Sequence, residues 1–118
     1  MKIIQVPDDL IDEELASVCF VRDYVEFNFD GPILRSMIPV RARGPNAAFE
    51  VTQGEVGWRD KLCTFIGMPV TDVIVDEKRS ITIAFAGGSQ IQLPLDVVGP
   101  GGESAHFQPQ RNDHLQVW

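Results

Sequence analysis

At 118 residues, with 44% hydrophobic and 23% charged side chains and a net charge of −7, the chain has the makeup of one soluble folding unit. No apolar run approaches the roughly 20 residues that span a bilayer, and the acidity argues against sequence-independent nucleic-acid binding, which runs on many Lys/Arg–phosphate contacts. The opening Met1-Lys2-Ile3-Ile4-Gln5-Val6-Pro7 has one cation and too short an apolar stretch for a secretory signal, so cytoplasmic residence is the default expectation.

In chain order, Pro7 to Glu14 crowds acids into what would be a first helical turn and predicts a short helix. Val18–Val21 and Tyr24–Phe29 read as strands, the second alternating with Val25, Phe27 and Phe29 on one face. Asp30-Gly31-Pro32 is a turn signal. Ile33 to Val40 reads as a third strand, which Pro39 pushes towards a sheet edge. Arg41 to Val56, broken by Gly44-Pro45-Asn46 and Gly54, reads as a long loop. Gly57 to Gly67 is the clearest helix, with Trp58, Leu62, Phe65 and Ile66 as one apolar stripe and Gly67 as its left-handed cap. Val70–Val75, Ser80–Phe85 and Gln90–Leu95 then form a second meander, and Leu115 to Trp118 ends the chain as a short docked strand.

The two meanders say the same thing twice. A shift of 55 residues lays Leu10, Leu15, Val18 and Phe20 on Phe65, Val70, Val73 and Val75; a shift of 56 lays Val25, Phe27 and Phe29 on Ile81, Ile83 and Phe85; a shift of 57 lays Leu34 and Ile38 on Ile91 and Leu95. Each increment falls at a turn. The expected fold is α+β and mostly antiparallel β: one domain of two pseudo-repeated three-stranded meanders, about residues 8–40 and 63–96, sharing one core under one main covering helix. A six-stranded sheet, a sandwich of two three-stranded sheets and a closed barrel are all compatible with that pattern.

Catalytic signatures are missing: there is no phosphate-binding loop, no dinucleotide fingerprint, no His-Glu-x-x-His and no nucleophile elbow. Cys19 and Cys63 lack any metal-ligand spacing and read as reduced thiols in apolar surroundings. No cofactor and no metal are expected. Both histidines lie near the end of the chain. Glu103, His106 and His114 are therefore the one set from which a small hydrolase or metal-dependent enzyme could be built, although nothing in the sequence aims a base at a nucleophile. Arg35, Arg41, Arg43, Arg59 and Lys61 group in the middle of the chain and read as a solvated face.

The remaining candidates concern binding. Residues 1–30 carry eight acids against Lys2 and Arg22, and Asp12, Glu13 and Glu14 sit at the centre of that excess. Arg22-Asp23 before Tyr24 and Arg59-Asp60 after Trp58 place charge beside aromatic anchors, the composition of interface hot spots. The leading expectation is a non-catalytic protein-binding module, of which toxin-neutralising immunity proteins are one class; a homodimer through an edge strand such as Ile33–Val40 is the other partner reading.

The string Phe20 to Pro32 (FVRDYVEFNFDGP), followed by Gly57 to Gly67 (GWRDKLCTFIG) and a meander, resembles a family of small uncharacterised bacterial proteins. Pro100-Gly101-Gly102-Glu103 departs from that family's Gly-Pro-Glu segment by two inserted glycines. The resemblance implies an architecture and brings no catalytic residue.

Overall fold

A computed structural model describes residues 10–76, 78–96, 103–108 and 116–117. Among the described residues, ten strands and one α-helix follow in the order β1 (Ser17–Val21), β2 (Tyr24–Asn28), β3 (Ile33–Ser36), β4 (Arg41–Arg43), β5 (Glu50–Thr52), α1 (Trp58–Cys63), β6 (Val70–Asp76), β7 (Ser80–Phe85), β8 (Gln90–Pro94), β9 (Ala105–Gln108) and β10 (Gln116–Val117). They build two antiparallel five-stranded sheets, ordered β1-β2-β3-β9-β10 and β5-β4-β8-β7-β6. The mostly antiparallel α+β class therefore holds, but neither a six-stranded sheet nor a barrel does. Among the described residues, β1 and β10 are the outer strands of one sheet and β5 and β6 those of the other.

Each sheet is a meander extended by a hairpin from the other half of the chain. After β3 the chain crosses over, and β4 pairs with β8 through Ala42 opposite Ile91; after β8 it crosses back, and β9 pairs with β3 through Phe107 opposite Leu34. The meander registers repeat at the stepped offsets seen in the sequence. Val18 faces Phe27 and Phe27 faces Leu34 in one, while Val73 faces Ile83 and Ile83 faces Ile91 in the other.

Alternation along the strands supplies the core. Val25, Phe27, Leu34 and Phe107 of the first sheet and Ile81, Ile83, Ile91 and Leu93 of the second belong to one buried cluster. Phe65 of the post-helical turn joins them and meets Phe85 edge to face with centroids 5.2 Å apart. Aromatic pairs in that geometry add about 0.5–1.5 kcal/mol to their burial.

The structure corrects several local expectations. Ile33–Val40 is no edge strand: β3 stops at Ser36 and is paired on both sides, by β2 and β9. Pro39 lies instead on the crossover, where its missing N–H costs nothing. β3 therefore has no free backbone edge to offer a second copy. The supposed loop 41–56 contains β4 and β5, three residues each, too short for period-two alternation to show. The helix ends at Cys63, and the following turns carry i→i−3 hydrogen bonds from Phe65 to Leu62 and from Ile66 to Cys63. That tighter winding eclipses residues three apart. Leu62 and Phe65 accordingly share the buried side, while Ile66 turns out with Cys63 and is 44% exposed. Cys19 is exposed as well, so neither thiol sits in apolar surroundings.

Of the predicted N-terminal helix, residues 7–9 lie outside the described residues, and the rest is a turn followed by extended chain. Asp12 has φ +74°, which ends any helical path. Residues 12–15 run antiparallel to 67–70. Asp12 N–H donates to Val70 O (2.9 Å) and Gly67 N–H to Leu15 O (2.7 Å); Val70 N–H donates to Glu13 O (2.9 Å) and Leu15 N–H to Met68 O (3.2 Å). Each pair of bonds exchanges on a shift of 55, so the two copies of this segment pair with each other about a local twofold near Glu14 and Pro69.

Candidate functional site

The acidic triplet sits on this cross-braced junction. Asp12, Glu13 and Glu14 line a cleft of about 350 Å³ together with Leu15, Ala16 and Asp30. Asp30 reaches it from the β2–β3 turn, where it also has a positive φ of +57°. Asp is among the few residues that tolerate the left-handed region. Gly67, which occupies the position equivalent to Asp12, has φ +91°. One copy thus fills a left-handed position with glycine and the other with a carboxylate. The cleft is polar and anionic, with its backbone fixed by interstrand hydrogen bonds.

The two Arg-Asp pairs are not brought together. Arg22-Asp23 forms the two-residue turn of the β1–β2 hairpin, and Tyr24 begins β2 half-buried. Arg59-Asp60 lies in α1, where the Arg59 guanidinium stacks 4.8 Å from the Trp58 ring. Trp58 meets Phe20 edge to face at 5.3 Å, which joins α1 to β1. Among the described residues, no ion pair links one dipeptide to the other.

Glu103 and His106 do meet: His106 Nε2 donates to Glu103 Oε1 at 2.7 Å. His114 lies outside the described residues. His106 stands on the outer face of the first sheet, in a cross-strand row that runs Cys19, Glu26, Arg35, His106, Val117. Arg35 Nε donates to Glu26 Oε1 at 2.8 Å, and Asn28 Nδ2 donates to the same carboxylate at 3.2 Å. Three strand spacings of about 4.8 Å separate Cys19 from His106, too far for direct proton transfer between them. Among the described residues, no group of three or more His, Cys, Asp or Glu side chains could hold a metal ion.

The second sheet carries on its outer face a feature that sequence reasoning missed. Arg41 and Arg43 of β4, Gln90 and Gln92 of β8 and Glu50 and Thr52 of β5 line a polar groove of about 370 Å³. Arg43 Nη2 donates to Glu50 Oε1 at 3.0 Å. The five cations grouped in the sequence thus do not act as one patch. Arg35 and Arg43 are in ion pairs, Arg59 lies on Trp58, and Lys61 lies 5.1 Å from the Phe49 ring. Arg41 alone of the five has no partner among the described residues. The Arg-Ala-Arg alternation was the available signal, outweighed by the surrounding glycines and proline.

The sequence matches no family model, no curated protein and no solved structure.

Proposed function

We propose that this protein is a non-catalytic binding module that engages a basic protein partner through the cleft lined by Asp12, Glu13, Glu14 and Asp30. The observation that carries this reading is the placement of three of those carboxylates, Asp12, Glu13 and Glu14, on backbone tied to residues 67–70 by four interstrand hydrogen bonds. A surface held in advance loses little entropy on binding, and concentrated negative charge steers a cationic partner into encounter. Retention of Asp at a left-handed position where the other copy has glycine fits a role other than folding.

Toxin-neutralising immunity proteins are the class to test first. The experiment is affinity capture from the native cell, together with toxicity relief by this chain of any toxin encoded beside it. Relief that is lost when Asp12, Glu13 and Glu14 are changed to Lys, with the fold retained, supports the reading. A cleft variant that captures and protects as well as wild type sinks it. The alternative of a small hydrolase or metal-dependent enzyme rests on the Glu103–His106 contact alone; stoichiometric metal in the purified protein, or an activity abolished by His106→Ala, would favour it.

A further inference from the structure

From the outer face of the second sheet we propose a carboxylate-binding site in which Arg41 is the primary ligand-binding residue and Gln92 flanks it. The two sheets can be compared row by row, because their registers correspond. Cys19–Glu26–Arg35–His106–Val117 in the first sheet corresponds to Ile74–Thr82–Gln92–Arg41–Thr52 in the second. In the first row both basic side chains find a carboxylate within the fold: Arg35 meets Glu26 and His106 meets Glu103. In the second row the position of Glu26 is taken by Thr82, and the position three residues before Arg41, equivalent to Glu103, is Ile38, which is buried. Arg41 thus stands where the first sheet has His106, without the carboxylate that answers it there, and the acids lining its clefts form no ion pair with it among the described residues. An external carboxylate restores the pairing that the first row makes internally.

The surroundings set the ligand class. Arg41 borders two clefts, the groove of about 370 Å³ and a second of about 270 Å³ that also contains Gln92, Arg79, Asp76 and Asp96. Guanidinium presents a planar fork of donors suited to a carboxylate, and a glutamine amide can add one more. Glu50 and Glu55 line the same groove, and Asp76 and Asp96 the adjoining cleft. Those acids repel a dianion more than a monoanion, so at about pH 8, where inorganic phosphate is mostly dianionic, the site selects a single carboxylate over phosphate. No aromatic side chain among the described residues lines either cleft, which gives a sugar ring no stacking floor there. The carboxylate can come from a small organic acid or from the C-terminus of a polypeptide.

The test uses the full chain and heteronuclear NMR. The probes are sodium propionate, a short Gly/Ala peptide with a free C-terminal carboxylate, the same peptide amidated, and inorganic phosphate. Saturable shifts at residues 41–43 and 90–92 are expected with one or both carboxylates and none with the amide, and phosphate should bind at least about tenfold more weakly. Saturation by propionate identifies small acids as sufficient ligands; saturation by the free-acid peptide alone identifies a polypeptide end. Arg41→Gln, a substitution at an exposed position, should weaken binding about tenfold or more, as loss of a charge-assisted hydrogen bond does, while Lys61→Gln on α1, also exposed, leaves it unchanged. The proposal is overturned if neither carboxylate saturates by about 0.1 M, an affinity too weak to be specific. It is equally overturned if Arg41→Gln binds like wild type, or if phosphate binds as well as propionate.

Discussion

Gly67→Ala tests the local twofold with a change of one methyl group. Gly67 has φ +91°, and a Cβ added there meets no atom within 4 Å. Steric clash is therefore absent, and the whole effect is conformational. Holding an L-residue in the left-handed region costs roughly 1–2 kcal/mol. Loss of unfolded-state freedom returns about 0.4–1 kcal/mol. The net expectation is a destabilisation of about 1 kcal/mol, or a fall of about 4 °C in Tm for a domain of this size. Relaxing φ instead would break the 2.7 Å bond from Gly67 N–H to Leu15 O, so the strain has no free exit. Urea denaturation with an unchanged m-value reads the difference, and its sign is decisive. At an ordinary negative φ the same substitution would stabilise the protein by about 0.4–1 kcal/mol. A variant as stable as wild type or more so would refute the left-handed assignment, and with it the paired junction that supports the acidic cleft. Asp12→Gly is the companion experiment, expected to lie within about 0.5 kcal/mol of wild type because Asp already tolerates this region.

Phe27→Ala and Phe85→Ala should each cost about 3–5 kcal/mol, enough to unfold the protein or leave it marginal, and thermal denaturation that shows neither loss would reverse the assigned strand faces. Glu26 and Arg35 have side chains 20% and 22% exposed, so a double-mutant cycle to Gln and Met should report a coupling of about 1 kcal/mol, and a coupling of zero would show the pair to be solvent-screened. Both cysteines should react with a thiol reagent in the native protein as completely as in the unfolded one, because both are exposed; protection of either would contradict its placement.

Much of the fold was legible because it is written in local alternation. Val25, Phe27 and Phe29, and likewise Ile81, Ile83 and Phe85, could be assigned to buried faces from a period of two. The stepped offsets that align the two meanders were readable for the same reason, since side-chain spacing along a strand does not depend on what the strand pairs with. Gly67 was recognisable as a left-handed residue, although the helix it was expected to cap ends earlier, at Cys63. The acids of the cleft were also visible, although Asp12 to Glu14 follow a turn and extended chain where a helix was expected.

What only the tertiary structure decided is partner choice. Nothing local to Arg41–Arg43 or Ala105–Gln108 says that each crosses to the meander of the other half. Short strands of three or four residues carry too few side chains to announce themselves, and their conformation is imposed by the edge they complete. That exchange makes β3 an interior strand, which removes the edge its proline had implied. It also separates the fates of the clustered arginines: Arg35 faces Glu26, Arg43 faces Glu50, and Arg41 faces only neutral side chains, Gln92 on one side and Thr52 on the other. A charge pattern along the chain states which ions exist. Which of them find counterions is settled by strand register across the sheet, a non-local quantity that the linear spacing of residues does not contain.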